Sequence, residues 1–182
     1  MSDPAIPYGR QWIDDDDVHA VIEALRSDFL TTGPRVPRFE EALAGLTGAR
    51  RVVAVNSGTS ALHAMYFAAG IGPGDEVITT PLTFAATANA ALYLGAQVRV
   101  VDVLPDTGNI DPEAAAQAVG PRPRAIVAVD YTGHPADYDE LRAFADARGL
   151  RLFADAAGAI DTSSPGRMSF NAAVLFPLVA IA

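Results

Sequence analysis

From residue 51 onward, short β-branched runs alternate with longer helical runs, and this alternation constrains the fold of the 182-residue chain more than any other feature. The spacing predicts strands at 51–55, 76–79, 98–102, 124–130 and 151–154, and helices at 60–69, 83–94, 112–119 and 137–148. Alternating strands and helices imply an α/β fold, a mostly parallel sheet with helices on both faces. Sites in such sheets gather beyond the carboxyl ends of the strands, so the residues just after each strand matter most. Ahead of the alternation, Val18, Val21, Ile22 and Leu25 recur at helical spacing within a helix over about Asp15–Ser27. A loop with a Gly-Pro break follows, and Pro37 fits the first turn of a second helix expected to bury Phe39, Leu43 and Leu46. The organisation is therefore an N-terminal arm and helix over 1–36 and an α/β domain over 37–182.

The end of the first strand is unusual. In "VNSGTSALHA", residues 55–64, a β-branched run stops in four small polar residues and resumes as a helix. Small residues there let the backbone approach a ligand, and the first N–H groups of the helix favour an anion. The stretch reads equally as an ordinary capped turn with Thr59 or Ser57 as N-cap. After the second strand, "TTPLTFAATANA" places Phe84 near a helix start. After the fourth, "VDYTGHPAD" places Asp130, Tyr131 and His134, and "FADAAGA" places Asp155 after the fifth. Together these fit a flat, phosphorylated, nitrogen-containing ligand: the turn for the phosphate, Phe84 for the ring, Asp155 for a protonated ring nitrogen. Individually each has a plainer role, Phe84 in a core, Asp155 as a helix cap and His134 as a loop residue.

Composition narrows the chemistry. The net charge of −9 argues against nucleic acid as a partner. The acidic run "DDDD" at 14–17 suits a helix N-terminus better than a metal site. Cysteine is absent, which excludes disulfides and thiolate chemistry. No N-terminal apolar stretch resembles a signal peptide, so the cytoplasm is the expected compartment. The 13 basic residues are all arginine, leaving no lysine side chain to condense with an aldehyde. The closing run "SFNAAVLFPLVAIA" is too short, and too interrupted by Pro177, for a membrane helix. It reads as one buried strand. With nothing after it to pair its edge, self-association is expected, unless the tail folds back and closes its own sheet.

The motifs "VNSGTSALHA", "GPGDEVITTPLTFAATANA", "VVDVLPDTGNID" and "FADAAGA" resemble, as a set, the sugar aminotransferases that use pyridoxal 5′-phosphate (PLP), which have the type I aminotransferase fold. The resemblance covers about Ile6 to Ala159. "PYGRQWIDDDDVHAVIEALRSDFLTTGP" narrows it to the subgroup that makes UDP-4-amino-4,6-dideoxy-N-acetyl-β-L-altrosamine on the route to pseudaminic acid. It implies amino transfer from glutamate to C4 of a UDP-4-keto-6-deoxy-N-acetyl-hexosamine. It also implies a homodimer in the intact relatives. Gly58, Thr59 and Ser60 match the family's phosphate turn, Phe84 its ring-stacking aromatic, and Asp155 its acid on the pyridine nitrogen. Tyr8, Asp28, Phe29, Leu30 and Thr31 match segments that contact the nucleotide-sugar.

The chain departs from the family pattern near its end. Where the family has His or Gln three residues after the acid, this chain has Gly158. The family's "SFH…K" motif, whose lysine carries PLP, is replaced by an early "MSFN" with no lysine after it. The resemblance thus covers a truncated large domain, with the family's small domain missing. None of His19, His63 and His134 falls in the lysine region, so a histidine does not take that place. The expected outcome is a chain that binds PLP non-covalently at best and is inactive by itself. The alternative is a structural or regulatory partner of a full-length relative. An unrelated dinucleotide binder is disfavoured, because the first strand is not followed by G-x-G-x-x-G. Treating the protein with PLP and borohydride, then mapping tryptic peptides by mass, should show no PLP adduct on any internal residue. An adduct anywhere but the α-amino group of Met1 would contradict this.

Overall fold

The computed structural model describes residues 12–157, 172–175 and 178–181, the last two segments as backbone strands. The chain divides into two compact units with the boundary after Pro37. In the first unit, helix α1 (Asp15–Arg26) starts where the acidic run predicts. Asp14 is its N-cap and accepts from the N–H groups of Asp16 and Asp17, while the Asp17 carboxylate accepts from the Asp14 N–H. This reciprocal capping satisfies donors that the helix itself cannot. Val18, Val21, Ile22 and Leu25 hold their helical spacing, but none of them is buried.

The second unit is built on a seven-stranded sheet. Its strands are β1 (Arg51–Ala54), β2 (Glu76–Thr79), β3 (Gln97–Val100), β4 (Pro123–Val129), β5 (Arg151–Asp155), β6 (Ala172–Leu175) and β7 (Leu178–Ile181), in the order β1-β7-β6-β5-β4-β2-β3. All pairings among β2 to β6 are parallel, and β7 alone runs antiparallel to both of its neighbours. The closing apolar run is therefore two strands and not one. Both lie inside the sheet with partners on each side, so the unpaired apolar edge expected from the sequence does not arise.

Side chains alternate along the central strands and make two apolar layers. Ile78, Ile126, Leu152 and Ala154 face one way and pack with residues of α2 (Arg35–Thr47), α5 (Pro112–Gln117) and α6 (Tyr138–Arg148). Val77, Val127 and Phe153 face the other way, against α3 (Gly58–Ala68) and α4 (Ala86–Tyr93). Their near-continuous apolar sequences follow from being covered on both sides. In α2 only Leu43 is buried, whereas Phe39 and Leu46 are exposed. Helical spacing correctly marks their face but not how much of it the sheet covers.

Turn chemistry fixes the connections. Asp111 caps α5 with Pro112 in its first turn, Asp137 caps α6, and Gly149 ends α6 in the left-handed region at φ 66°. At the amino ends of the strands the buried Glu76 carboxylate is held by Arg99, with Nη2 to Oε1 at 2.7 Å. That hydrogen bond is the main reason the carboxyl sits below its ordinary pKa. Gly120 lies against the same carboxylate, and a Cβ there would collide with both oxygens. The acid is buried and tethered to Arg99, so it cannot swing away cheaply. Gly120→Ala is expected to cost about 1–3 kcal/mol through overpacking, read as a lower urea midpoint with unchanged slope.

Candidate cofactor site

The carboxyl ends of β1 and β5 and the loop after β2 bound a cleft of about 300 Å³, lined by Ser57, Gly58, Thr59, Leu62, Phe84, Ala86, Asp155 and Ala157. The volume suits a small organic ligand. Four of the five residues the sequence marks for a cofactor, Gly58, Thr59, Phe84 and Asp155, meet here.

The turn at 56–60 is both a helix cap and a donor array. Ser57 is the N-cap of α3, its Oγ accepting from the Ser60 N–H at 3.2 Å. The Ser57 hydroxyl also donates to Ser60 Oγ at 3.0 Å, and the Ser60 hydroxyl donates to Asn56 Oδ1 at 2.7 Å. Ser60 thus has its N–H and hydroxyl engaged within the turn, and it is not among the cleft-lining residues. Among the described residues, no hydrogen bond satisfies the N–H groups of Gly58 and Thr59, the first two of the helix. Such donors attract an anion.

Phe84 is 79% exposed at the cleft, just before α4. Its ring is therefore accessible to a ligand in the cleft. Asp155 ends β5 with 7% exposure. Burial pushes its carboxyl above the ordinary carboxylate range, and hydrogen bonds from the Thr87 hydroxyl and the Ala157 N–H oppose that push. The Thr87 Oγ1 to Asp155 Oδ2 distance is 2.6 Å.

Asp130 ends up in a structural role. It is buried beside Asp155, and its Oδ1 accepts from the Tyr138 hydroxyl at 2.7 Å and from the Ala136 N–H at 3.0 Å. Burial dominates its raised pKa. His134 closes a single 3₁₀ turn over Tyr131–Gly133, its N–H donating to the Tyr131 carbonyl. Asn109 ties that turn down, donating to the carbonyls of His134 and Pro135 and accepting from the Tyr131 N–H. Asp28, Phe29, Leu30 and Thr31 lie in the first unit, after α1, with Phe29 and Leu30 exposed. Tyr8 and Gly158 lie outside the described residues.

Sequence reasoning missed Thr87. It is fully buried in α4, and the one signal for it was a hydroxyl in the mostly small and apolar run "FAATANAAL".

Against known proteins, the chain is 44% identical over 163 residues to the spore coat polysaccharide biosynthesis protein SpsC of Bacillus subtilis (strain 168), spanning 90% of this chain and 42% of that one. Among solved structures it resembles 3-amino-5-hydroxybenzoic acid synthase, with a TM-score of 0.88 and 33% identity, over 98% of this chain and 50% of that one. It also resembles DesI determined in the presence of its TDP-sugar product, with a TM-score of 0.74 and 41% identity, over 86% of this chain and 40% of that one. The chain therefore spans half or less of the length of each of these relatives. A family model matches residues 11–174, and the chain belongs to the DegT/DnrJ/EryC1/StrS aminotransferase family.

Proposed function

We propose that this chain carries the PLP-holding part of a nucleotide-sugar aminotransferase. The observation that carries the reading is the meeting, in one cleft, of two helix N–H groups without a hydrogen-bond partner among the described residues, an open aromatic face and a buried carboxylate. These groups fit PLP. Gly58 and Thr59 would hold its phosphate, Phe84 would cover its ring, and Asp155 would keep its ring nitrogen protonated. When bound, PLP supplies an electron sink for moving an amino group. The residues of this chain bind and orient the ring, and Asp155 holds a proton at the ring nitrogen.

The substrates follow from the family and from the printed relatives, one of which was solved with a TDP-sugar product. We infer a 4-keto-6-deoxy nucleotide-sugar of the UDP-N-acetyl-hexosamine type as acceptor and glutamate as donor, as on a pseudaminic acid-type pathway. Tyr8 and Asp28–Thr31 would contact the nucleotide-sugar. Ser60 supports the phosphate turn from behind through Ser57 and Asn56. A homodimer and a cytoplasmic setting accompany this reading. Among the described residues no helix is long and apolar enough to cross a membrane.

The 182 residues hold no lysine. This favours a second reading, in which the chain serves as a non-catalytic partner of a full-length relative. Both readings share the cofactor cleft and part over turnover. Pure protein given PLP and glutamate is expected to make no more than one equivalent of pyridoxamine phosphate per chain, followed by absorbance. Repeated turnover would rule out the non-catalytic reading.

The cleft itself is tested by binding. Asp155→Asn removes the charge facing the ring nitrogen while keeping the side chain's shape. A hydrogen bond to a charged group is worth about 1.5–3 kcal/mol, so the PLP dissociation constant is expected to rise about tenfold or more. Asp137→Ala, which alters only the cap of α6, should leave that constant within about twofold. Equal affinities for the two variants, read by fluorescence titration, would remove Asp155 from the site.

A further inference from the structure

Asp155 is not held by the sheet alone. Thr87 meets the side chain of Asp155 and the backbone of Phe84. Its hydroxyl lies 2.6 Å from Asp155 Oδ2, and its N–H donates to the carbonyl of Phe84 at 3.0 Å. The hydroxyl also lies 3.0 Å from that same carbonyl and 2.6 Å from the hydroxyl of Thr83. One hydroxyl has one proton to give. A carboxylate at the shorter distance outcompetes a neutral carbonyl at the longer one. The Thr87 proton therefore goes to Asp155, and the Thr83 hydroxyl donates into Thr87 Oγ1. The backbone of Thr87 is fixed in turn, because its carbonyl accepts from the hydroxyl of the buried Tyr66 at 3.0 Å.

We propose that Thr87, seated by Thr83, is a positioning residue that aims the Asp155 carboxylate, as an anion, at a protonated ring nitrogen in the cleft. This rests on the reading of the cleft as a PLP site. The geometry supplies what burial removes. The carboxylate is taken out of water, and a short hydroxyl donor replaces part of its lost hydration. The backbone N–H of the same threonine bonds the Phe84 carbonyl, so the hydroxyl that meets Asp155 sits in the turn that carries Phe84. The other ionisable groups facing Asp155 are Asp130 at the end of β4, Tyr66 of α3 and Tyr138 of α6. None of the three is a cation, so they do not stabilise its charge.

The test uses the full chain and two readouts. The first is the titration of Asp155 in the protein without cofactor, followed by NMR with 13C-labelled aspartate carboxyls and assigned by its loss in Asp155→Asn. The second is PLP affinity against pH. Thr87→Val keeps the shape and removes the hydroxyl. It is expected to move the Asp155 midpoint upward and to weaken PLP binding about tenfold at neutral pH, with the loss shrinking as pH rises. Thr87→Ser is expected to restore both, which a purely structural role for the buried methyl would not predict. An Asp155 titration unchanged in Thr87→Val, or a loss that serine fails to rescue, overturns the proposal. Should Thr87→Val fail to fold, Thr83→Val decides, with a smaller upward move expected and an unchanged midpoint fatal. If PLP affinity responds to Asp155→Asn but not to Thr87→Val, the cofactor reading stands and this proposal fails. If the unmutated chain takes up no PLP, the cofactor reading fails and this proposal with it.

Discussion

A carboxylate buried at the end of a central strand is the constraint around which this structure is arranged. Burying an ion is unfavourable unless hydrogen bonds replace its water. Asp155 meets that requirement with two donors, the Thr87 hydroxyl and the Ala157 N–H, which only partly offset the effect of burial. The remaining imbalance is a local weakness in the fold and an asset to a site that needs a fixed negative charge. Three neighbouring features follow from it. Thr87 is a hydroxyl-bearing residue in a mostly apolar helix, Tyr66 is a buried phenol bonded to the backbone of that helix, and Asp130, buried on the next strand, has its own pair of donors to offset its burial.

The other half of the cleft depends on a helix start. Ser57 and Ser60 satisfy each other, and among the described residues the first two N–H groups of α3 have no hydrogen-bond partner. A tighter cap using every donor would stabilise the helix and close it to an anion. The small residues of the turn thus combine two demands, a clean helix start and an accessible row of dipoles. The opposite end of the sheet shows the contrasting solution. There Glu76 meets Arg99 over a glycine, and the charges pair with each other.

Much of this was legible in the sequence. Periodicity located every strand up to Asp155 and each of the α-helices between them, because covered strands and one-sided helices leave distinct patterns. Gly58, Thr59, Phe84 and Asp155 could be singled out as lying after strand ends, where parallel sheets place their sites. The tail was misread because "AAVLFPLVAI" is one apolar run, and hydrophobicity alone does not show where it reverses. Pro177, a residue that interrupts a strand ladder, was the available clue. Phe39 and Leu46 were assigned to the core because helical spacing identifies a face without its cover. Thr87 was invisible for a different reason, since its role comes from a partner 68 residues away.

The reversed strand β7 bears on how the chain reaches this state. β1 has a single neighbour in the sheet, and that neighbour lies about 130 residues later in the sequence. The helix whose first turn lines the cleft begins four residues after β1 ends. At roughly 5–20 residues per second of synthesis, β1 leaves the ribosome on the order of ten seconds before its partner exists. Through that interval β1 has no strand partner. Pairing so distant in sequence is slow to nucleate. β7 must settle between β1 and β6 before β1 joins the sheet, which makes the strand that leads into the cleft's helix one of the last to be fixed.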